Sequence, residues 1–151
     1  MAKKVWAAVF GLLAVATIWF IFSNSMQGSV ESNLQSGWVA DFLRPILNPN
    51  GWIREEVYLK LVRKLAHFVE FGLLGLWLGA AAVNLQIRKK WYLAALICLL
   101  VACTDETIQS FTGRTNSIKD VCIDFSGAVC GLAFVALIVY FIKRIRGKHH
   151  G

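Results

Sequence analysis

Proline is scarce in this sequence, with Pro45 and Pro49 the only two among 151 residues. A proline in a helix interior breaks or kinks the helix. Both prolines fall in one short stretch, so the rest of the chain is free to form long, unbroken helices.

Cysteine is also scarce, and the four cysteines form no C-x-x-C pair. This absence argues against a zinc site built from cysteines and against a redox-active disulfide, both of which usually have that spacing. We expect free, buried cysteines that act as small apolar residues, namely Cys98, Cys103, Cys122 and Cys130. A disulfide between Cys103 and Cys122 is the alternative if that part of the chain faces an oxidising compartment.

Acidic residues are outnumbered by basic ones, nine against sixteen, which gives a net charge of +7. A basic chain can indicate nucleic-acid binding, but here no basic stripe with interleaved aromatic residues supports it. The lysines and arginines instead stand at the ends of apolar runs, as the topology signals of membrane proteins do. We therefore expect no nucleic-acid partner.

Hydrophobic residues are abundant, at 57% of the chain, against roughly 45–50% in soluble domains. Several apolar runs approach the roughly 20 residues that cross a bilayer as a helix. The sequence therefore predicts an all-α membrane protein with a single domain over residues 1–151. Its four transmembrane helices are expected at 5–23, 61–85, 91–111 and 117–142.

The first apolar run also has an alternative interpretation as a signal peptide. Small residues at Ser23 and Ser25 follow it at a cleavage-like spacing. The apolar region of a signal peptide normally has only about 7–15 residues, and this run is longer. We therefore favour a retained first span.

A more polar stretch separates the first two predicted spans, and apolar residues recur in it at helical spacing from Val30 to Leu47. This pattern predicts an amphipathic helix lying on the membrane surface. Trp38 and Trp52 suit the headgroup region. A plain loop is the alternative.

The distribution of basic residues predicts the orientation of the chain. Nine of the sixteen lie in three short segments, namely the N-terminus, the turn at 86–90 and the C-terminal tail. Because short cytoplasmic segments are enriched in lysine and arginine, both termini are expected in the cytoplasm. The polar ends of the second, third and fourth spans then lie in the outer leaflet.

Those three span ends carry polar residues at intervals of three and four, so each set occupies one helix face. The sets are Arg63, Lys64, His67 and Glu70, then Asp105, Glu106 and Gln109, then Ser117, Asp120 and Asp124. Ionisable groups are costly in lipid, so we expect the three faces to turn towards each other or towards a water-filled cavity. Acids outnumber bases there, and the excess calls for a metal ion, a bound proton or a cationic ligand.

Four passages resemble the VanZ-like family of bacterial membrane proteins. They are 22–27 (FSNSMQ), 63–71 (RKLAHFVEF), 105–111 (DETIQSF) and 113–121 (GRTNSIKDV), the last followed by Asp124 and Gly127. The resemblance implies a multi-pass protein of the bacterial plasma membrane. For the founding member it implies low-level resistance to the glycopeptide teicoplanin, and it implies no particular reaction. Arg114 belongs to the candidate site by its charge and its position between the third and fourth spans, and the resemblance adds Ser23 and Gln27.

One hypothesis is an enzyme acting on a lipid-linked cell-wall intermediate. The candidate catalytic residues are His67, Glu70, Asp105 and Glu106, with His67 or Glu70 as the general acid or base. Mg²⁺ or another hard divalent ion could bind to the carboxylates of Asp105, Glu106, Asp120 and Asp124. A structural histidine bonded to a nearby carboxylate is the plainer interpretation of His67.

The favoured hypothesis is a non-catalytic binding protein linked to glycopeptide resistance or envelope homeostasis. Its ligand would be an anionic membrane lipid, a lipid-linked cell-wall precursor or a lipoglycopeptide, with the segment 30–47 as a lid. The ligand-binding candidates are Ser23, Gln27, Arg63, Lys64, Gln109, Arg114, Ser117, Asp120 and Asp124. A transporter is a third option, but four spans are few for alternating access without oligomerisation.

Glycines at close helical spacing mark two of the predicted spans, at Gly75 and Gly79 and at Gly127 and Gly131. Such pairs let two helices approach closely. The contact could lie within one chain or between two chains of a dimer, and we favour packing within the chain.

Overall fold

A computed structural model describes residues 1–27, 29–87, 89–112 and 117–148. This part of the chain forms five α-helices and no strand. In chain order they are α1 (Ala2–Ser25), α2 (Ser29–Leu47), α3 (Glu55–Asn84), α4 (Lys90–Phe111) and α5 (Ile118–Lys148).

Four of the helices are long and apolar enough to cross a membrane, namely α1, α3, α4 and α5. Even α4, the shortest of them at 22 residues, extends about 33 Å, against a hydrocarbon core of about 30 Å. Large apolar side chains lie on the outer surface, including Leu12 at 70% exposure and Trp19 at 72%. Such an apolar surface suits lipid. The predicted all-α membrane fold with four spanning helices is confirmed.

The helices extend beyond the predicted apolar spans. α3 begins at Glu55 rather than at residue 61, and α5 continues to Lys148 rather than ending at residue 142. Glu55 and Glu56 in the first turn of α3 favour the positive end of the helix dipole. Hydropathy does not reveal this polar extension, because it identifies the membrane-crossing part of a helix and not the whole helix.

The predicted amphipathic segment is a helix, α2, rather than a plain loop. Its second half packs on the N-terminal extension of α3, where Ala40, Tyr58 and Val62 form a small buried cluster. The Tyr58 hydroxyl donates a hydrogen bond of 2.6 Å to the Ala40 carbonyl. The position of α2 on a membrane surface remains a prediction.

A second contact joins the same two helices at their exposed side. Arg44 donates two hydrogen bonds of 2.7 Å to the carboxylate of Glu55, which raises the pKa of the guanidinium. Its guanidinium carbon also lies 5.2 Å from the centre of the Tyr58 ring. α2 is therefore fixed to α3 by a buried hydrogen bond and a bidentate ion pair.

α3 and α5 approach each other so closely that their backbones touch. A Cβ atom added at Gly75 would overlap the Ala128 carbonyl, and one added at Gly131 would overlap the Gly72 carbonyl. At Gly127 the added atom would overlap the Phe68 carbonyl. The glycines therefore pack inside the chain, as favoured from the sequence. We call this α3–α5 contact the glycine seam.

The expectation for the cysteines is only partly right. All four are free thiols, so Cys103 and Cys122 are not bridged. Cys98 is buried, but Cys103, Cys122 and Cys130 are exposed. The prediction of burial is wrong for these three, because the apolar outer surface of a membrane helix accepts a small apolar residue as readily as a protein interior does.

The up-and-down packing brings the C-terminal ends of α1 and α4 together with the N-terminal parts of α3 and α5, as the contacts of Asp105 with Ser25 and of His67 with Asp105 and Asp124 show.

The predicted orientation can be tested with reporters. Alkaline phosphatase inserted between Pro49 and Gly51 should be active, and fused after Gly151 it should be inactive. A fluorescent protein fused after Gly151 should fluoresce. The reverse pattern would show that the cytoplasmic assignment of the termini is wrong.

The glycine seam predicts a stability difference between two glycines. Gly131→Ala should lower the free energy of unfolding by about 1–3 kcal/mol, because the new methyl group meets backbone and not a flexible side chain. Gly11→Ala is the matched control, since nothing lies within 4 Å of its added Cβ. It should be neutral or slightly stabilising. Unfolding in mixed micelles would measure both, and equal effects would contradict the seam.

Candidate functional site

Three helices bring a histidine and two carboxylates together inside the bundle. The His67 Nδ1 atom of α3 lies 3.8 Å from Asp105 Oδ2 of α4 and 3.9 Å from Asp124 Oδ1 of α5. The Asp105 and Asp124 side chains are buried, and that of His67 is 15% exposed. The polar faces predicted on the three spans therefore do turn towards each other.

Asp105 is held in place from two sides. Ser25, at the end of α1, donates a hydrogen bond of 2.5 Å from its hydroxyl to Asp105 Oδ1. Gln109, one turn further along α4, donates a hydrogen bond of 2.7 Å from its amide to Asp105 Oδ2. α1 is therefore the fourth helix that contributes to the cluster. Both oxygens of the fully buried Asp105 carboxylate are hydrogen-bonded.

Glu106, the neighbour of Asp105, supports the start of α5. Its Oε1 accepts a hydrogen bond of 2.5 Å from the backbone N–H of Ser117. The Ser117 hydroxyl in turn accepts a bond of 3.3 Å from the N–H of Lys119, as expected of an N-cap. The other oxygen of Glu106 is buried without a hydrogen-bond partner in the described part of the chain.

Glu70 lies one turn beyond His67 on α3. Its Oε1 accepts a long hydrogen bond of 3.5 Å from the Asn24 amide of α1, and its Oε2 is shielded from solvent. Arg63, one turn before His67, is half-buried with a shielded Nε atom. This face of α3 therefore carries the guanidinium of Arg63, the imidazole of His67 and the carboxyl group of Glu70, about one turn apart.

Lys64 and Asp120 form an ion pair between α3 and α5. Both side chains are partly exposed, at 46% and 32%. An ion pair at such exposure contributes little to stability. This pair therefore marks the solvent-accessible rim of the cluster and leaves Lys64 within reach of a ligand.

The carboxylates act on one another electrostatically. Asp105 and Asp124 each have an oxygen within 4 Å of the same imidazole nitrogen, and carboxylates so close together repel each other when both are ionised. The four acids predicted to hold Mg²⁺ nevertheless do not converge, since Asp120 pairs with Lys64 and Glu106 accepts from Ser117. Asp105 and Asp124 converge with His67 instead. The arrangement can hold a cation at its centre and take up or release a proton.

The contribution of α1 differs in detail from the prediction. The sequence resemblance suggested Ser23 and Gln27, and both are half-buried. Within the described residues, the hydrogen bonds from this helix to the cluster come from Asn24 and Ser25, which sequence reasoning missed. Ser25 continues the buried face of Ala14 and Ile21. Arg114, also predicted, lies outside the described residues.

Comparison with known proteins gives one finding. The family model described as VanZ/LLP1 matches residues 10–140, which is most of the chain. No curated protein and no solved structure showed a significant match. The matched region includes all five helices in whole or in part, and every residue of the polar cluster described above.

The support of Asp105 by Ser25 predicts a specific loss of stability. Ser25→Ala leaves a buried carboxylate oxygen without its donor, so the free energy of unfolding should fall by about 1–3 kcal/mol. Ser23→Ala, on the same helix end, is the control and should change it by less than about 0.5 kcal/mol. Unfolding in mixed micelles measures both, and an unchanged Ser25→Ala protein would contradict the buried hydrogen bond.

Proposed function

The chain belongs to the VanZ/LLP1 family, and we propose that it is a membrane protein that binds an amphiphile with an anionic headgroup at its polar cluster. The ligand class comprises anionic lipids, lipid-linked cell-wall precursors and lipoglycopeptides, which share an apolar chain and a charged head. Binding would change the availability of such a molecule at the outer face of a bacterial plasma membrane. Teicoplanin tolerance is the proposed consequence.

One observation carries this proposal, the polar cluster beside lipid-facing apolar surfaces at one end of the bundle. An amphiphile lying along the helices would keep its chain in lipid, and its head would reach the depth of the cluster. The partly exposed rim at Lys64 offers an entry point from solvent or from the lipid headgroups. A wholly buried cluster would offer none.

Recognition of an anion beside so many carboxylates requires cations. Arg63 and Lys64 lie on consecutive positions of α3, at the level of the cluster. A phosphate or carboxylate at the rim could displace Asp120 from Lys64, because an exposed ion pair costs little to break. Lys64 would then exchange the carboxylate of Asp120 for the anionic headgroup.

An intramembrane enzyme is the second candidate, favoured by the position of His67. An imidazole within 4 Å of two carboxylates can accept and return a proton while the carboxylates orient it. Such an enzyme would act on the same amphiphiles, as a hydrolase or a transferase. It differs from a binder in releasing a product.

Removing the rim cation tests the proposal. Lys64→Met should reduce teicoplanin tolerance in a susceptible Gram-positive host. It should also reduce the amount of anionic lipid that co-purifies by at least about 10-fold, because a 10-fold loss corresponds to an interaction of about 1.4 kcal/mol. Lys60→Met, one turn earlier on α3 and exposed, is the matched control and should leave both unchanged. Inhibitory concentrations and lipid mass spectrometry measure the two effects at equal membrane abundance.

The outcomes separate the hypotheses. If Lys64→Met and Lys60→Met behave alike in both assays, the rim is not the binding surface. If His67→Gln abolishes tolerance while lipid still co-purifies, the enzyme is favoured over the binder. If wild type confers no tolerance but binds lipid through Lys64, the binding function stands and the resistance role does not apply to this chain.

A further inference from the structure

We propose that His67, Asp105 and Asp124 form a binding site for a divalent transition-metal ion. The three side chains each offer one ligand atom, and these atoms all lie within 4.8 Å of one another. With sides of 3.8 and 3.9 Å at His67, a point equidistant from all three lies about 2.5 Å or less from each. Bonds from Zn²⁺ to nitrogen and oxygen are about 2.0–2.2 Å long, so the three atoms would close in by a few tenths of an ångström around the ion.

The ligand types select the ion. Mg²⁺ and Ca²⁺ prefer sites built wholly from oxygen atoms. One imidazole nitrogen with two carboxylate oxygens suits Zn²⁺, Mn²⁺ or Fe²⁺ better. Two carboxylates also balance the charge of a divalent ion, which matters in a site that lipid and protein shield from water.

The surroundings of Asp105 match those of a metal ligand. Its carboxylate accepts hydrogen bonds from Ser25 and Gln109, on two different helices. Hydrogen bonds of this kind fix the orientation of a ligating carboxylate before the ion arrives. The ion would therefore meet a largely prepared oxygen atom.

An independent observation also indicates a cation at this place. Glu106, with only 3% of its surface exposed, has an oxygen with no hydrogen-bond partner in the described ranges. Glu106 directly follows Asp105 on α4 and bonds to Ser117 at the start of α5, so this buried carboxyl group lies between two of the helices that form the cluster. A buried acceptor without a partner is energetically costly, and more so when it carries a charge. A cation at the centre of the cluster would offset that cost.

Three protein ligands leave part of the coordination sphere open. Catalytic and ligand-binding zinc sites keep such a position for water or substrate. Here the open position would suit a phosphate or carboxylate oxygen. The metal site itself does not depend on the proposed amphiphile, because uptake of the ion can be measured without any lipid ligand.

Direct metal analysis tests the site. The other histidines of the chain are His149 and His150 at the C-terminus, so both are first changed to glutamine to prevent binding at the tail. The full chain, purified in detergent without a histidine tag, is stripped with a chelator and incubated with Zn²⁺, Mn²⁺ or Mg²⁺. After desalting, elemental mass spectrometry should find about one Zn²⁺ or Mn²⁺ per chain and little Mg²⁺.

Variants then assign the ligands. His67→Gln and Asp124→Asn should each lower the affinity for Zn²⁺ by more than about 100-fold, and Gln109→Leu, which removes a support of Asp105, by about 10–100-fold. Glu56→Gln, an exposed acid in the first turn of α3, is the control and should retain full binding.

Two results would overturn the site. One is a folded chain with glutamines at 149 and 150 that retains no Zn²⁺ or Mn²⁺. The other is stoichiometric retention by the His67→Gln/Asp124→Asn double variant. If that variant misfolds, the absorption spectrum of Co²⁺ added to the chain that carries only the two glutamines decides the question. A spectrum identical to that of hydrated Co²⁺ would show that the protein does not bind the ion. If the chain takes up the ion but binds no lipid, the metal site is supported and only the proposed lipid-binding function is contradicted.

Discussion

The direct backbone contact between α3 and α5 is the constraint on which the rest of the molecule depends. Gly127 lies against the carbonyl of Phe68, the residue next to His67. Asp124 lies three positions before Gly127, which is one helical turn. The contact that brings two backbones together therefore also brings an imidazole and a carboxylate within 3.9 Å. Lipid offers no hydrophobic force between helices, so such close packing is what holds this pair in register.

Much of this arrangement could be predicted from the sequence because ionisable residues are so costly in lipid. Spacings of three and four placed His67, Asp105 and Asp124 on inward faces, and the glycines identified where helices meet. α1 could not be treated in this way, since it is apolar all round and no polar residues mark which of its faces is buried. The resemblance includes the stretch that contains Asn24 and Ser25, but nothing in the sequence singles out these two residues.

Other features depend on tertiary contacts that no local pattern encodes. The N-terminal extension of α3 is polar along much of its length, and its helical state is supported by the packing of Tyr58 and Val62 on α2. The division of the acids into a convergent pair and two separately bonded members, Glu106 and Asp120, also arises from helix positions. Hydropathy likewise cannot say whether a cysteine such as Cys130 faces lipid or protein.

The attachment of α2 to α3 has a mechanical consequence. Tyr58, which bonds to α2, and His67 lie on one continuous helix, about 14 Å apart at 1.5 Å per residue. A helix of that length is stiff, so a tilt of α3 imposed at its contact with α2 would also move the imidazole relative to the carboxylates on α4 and α5.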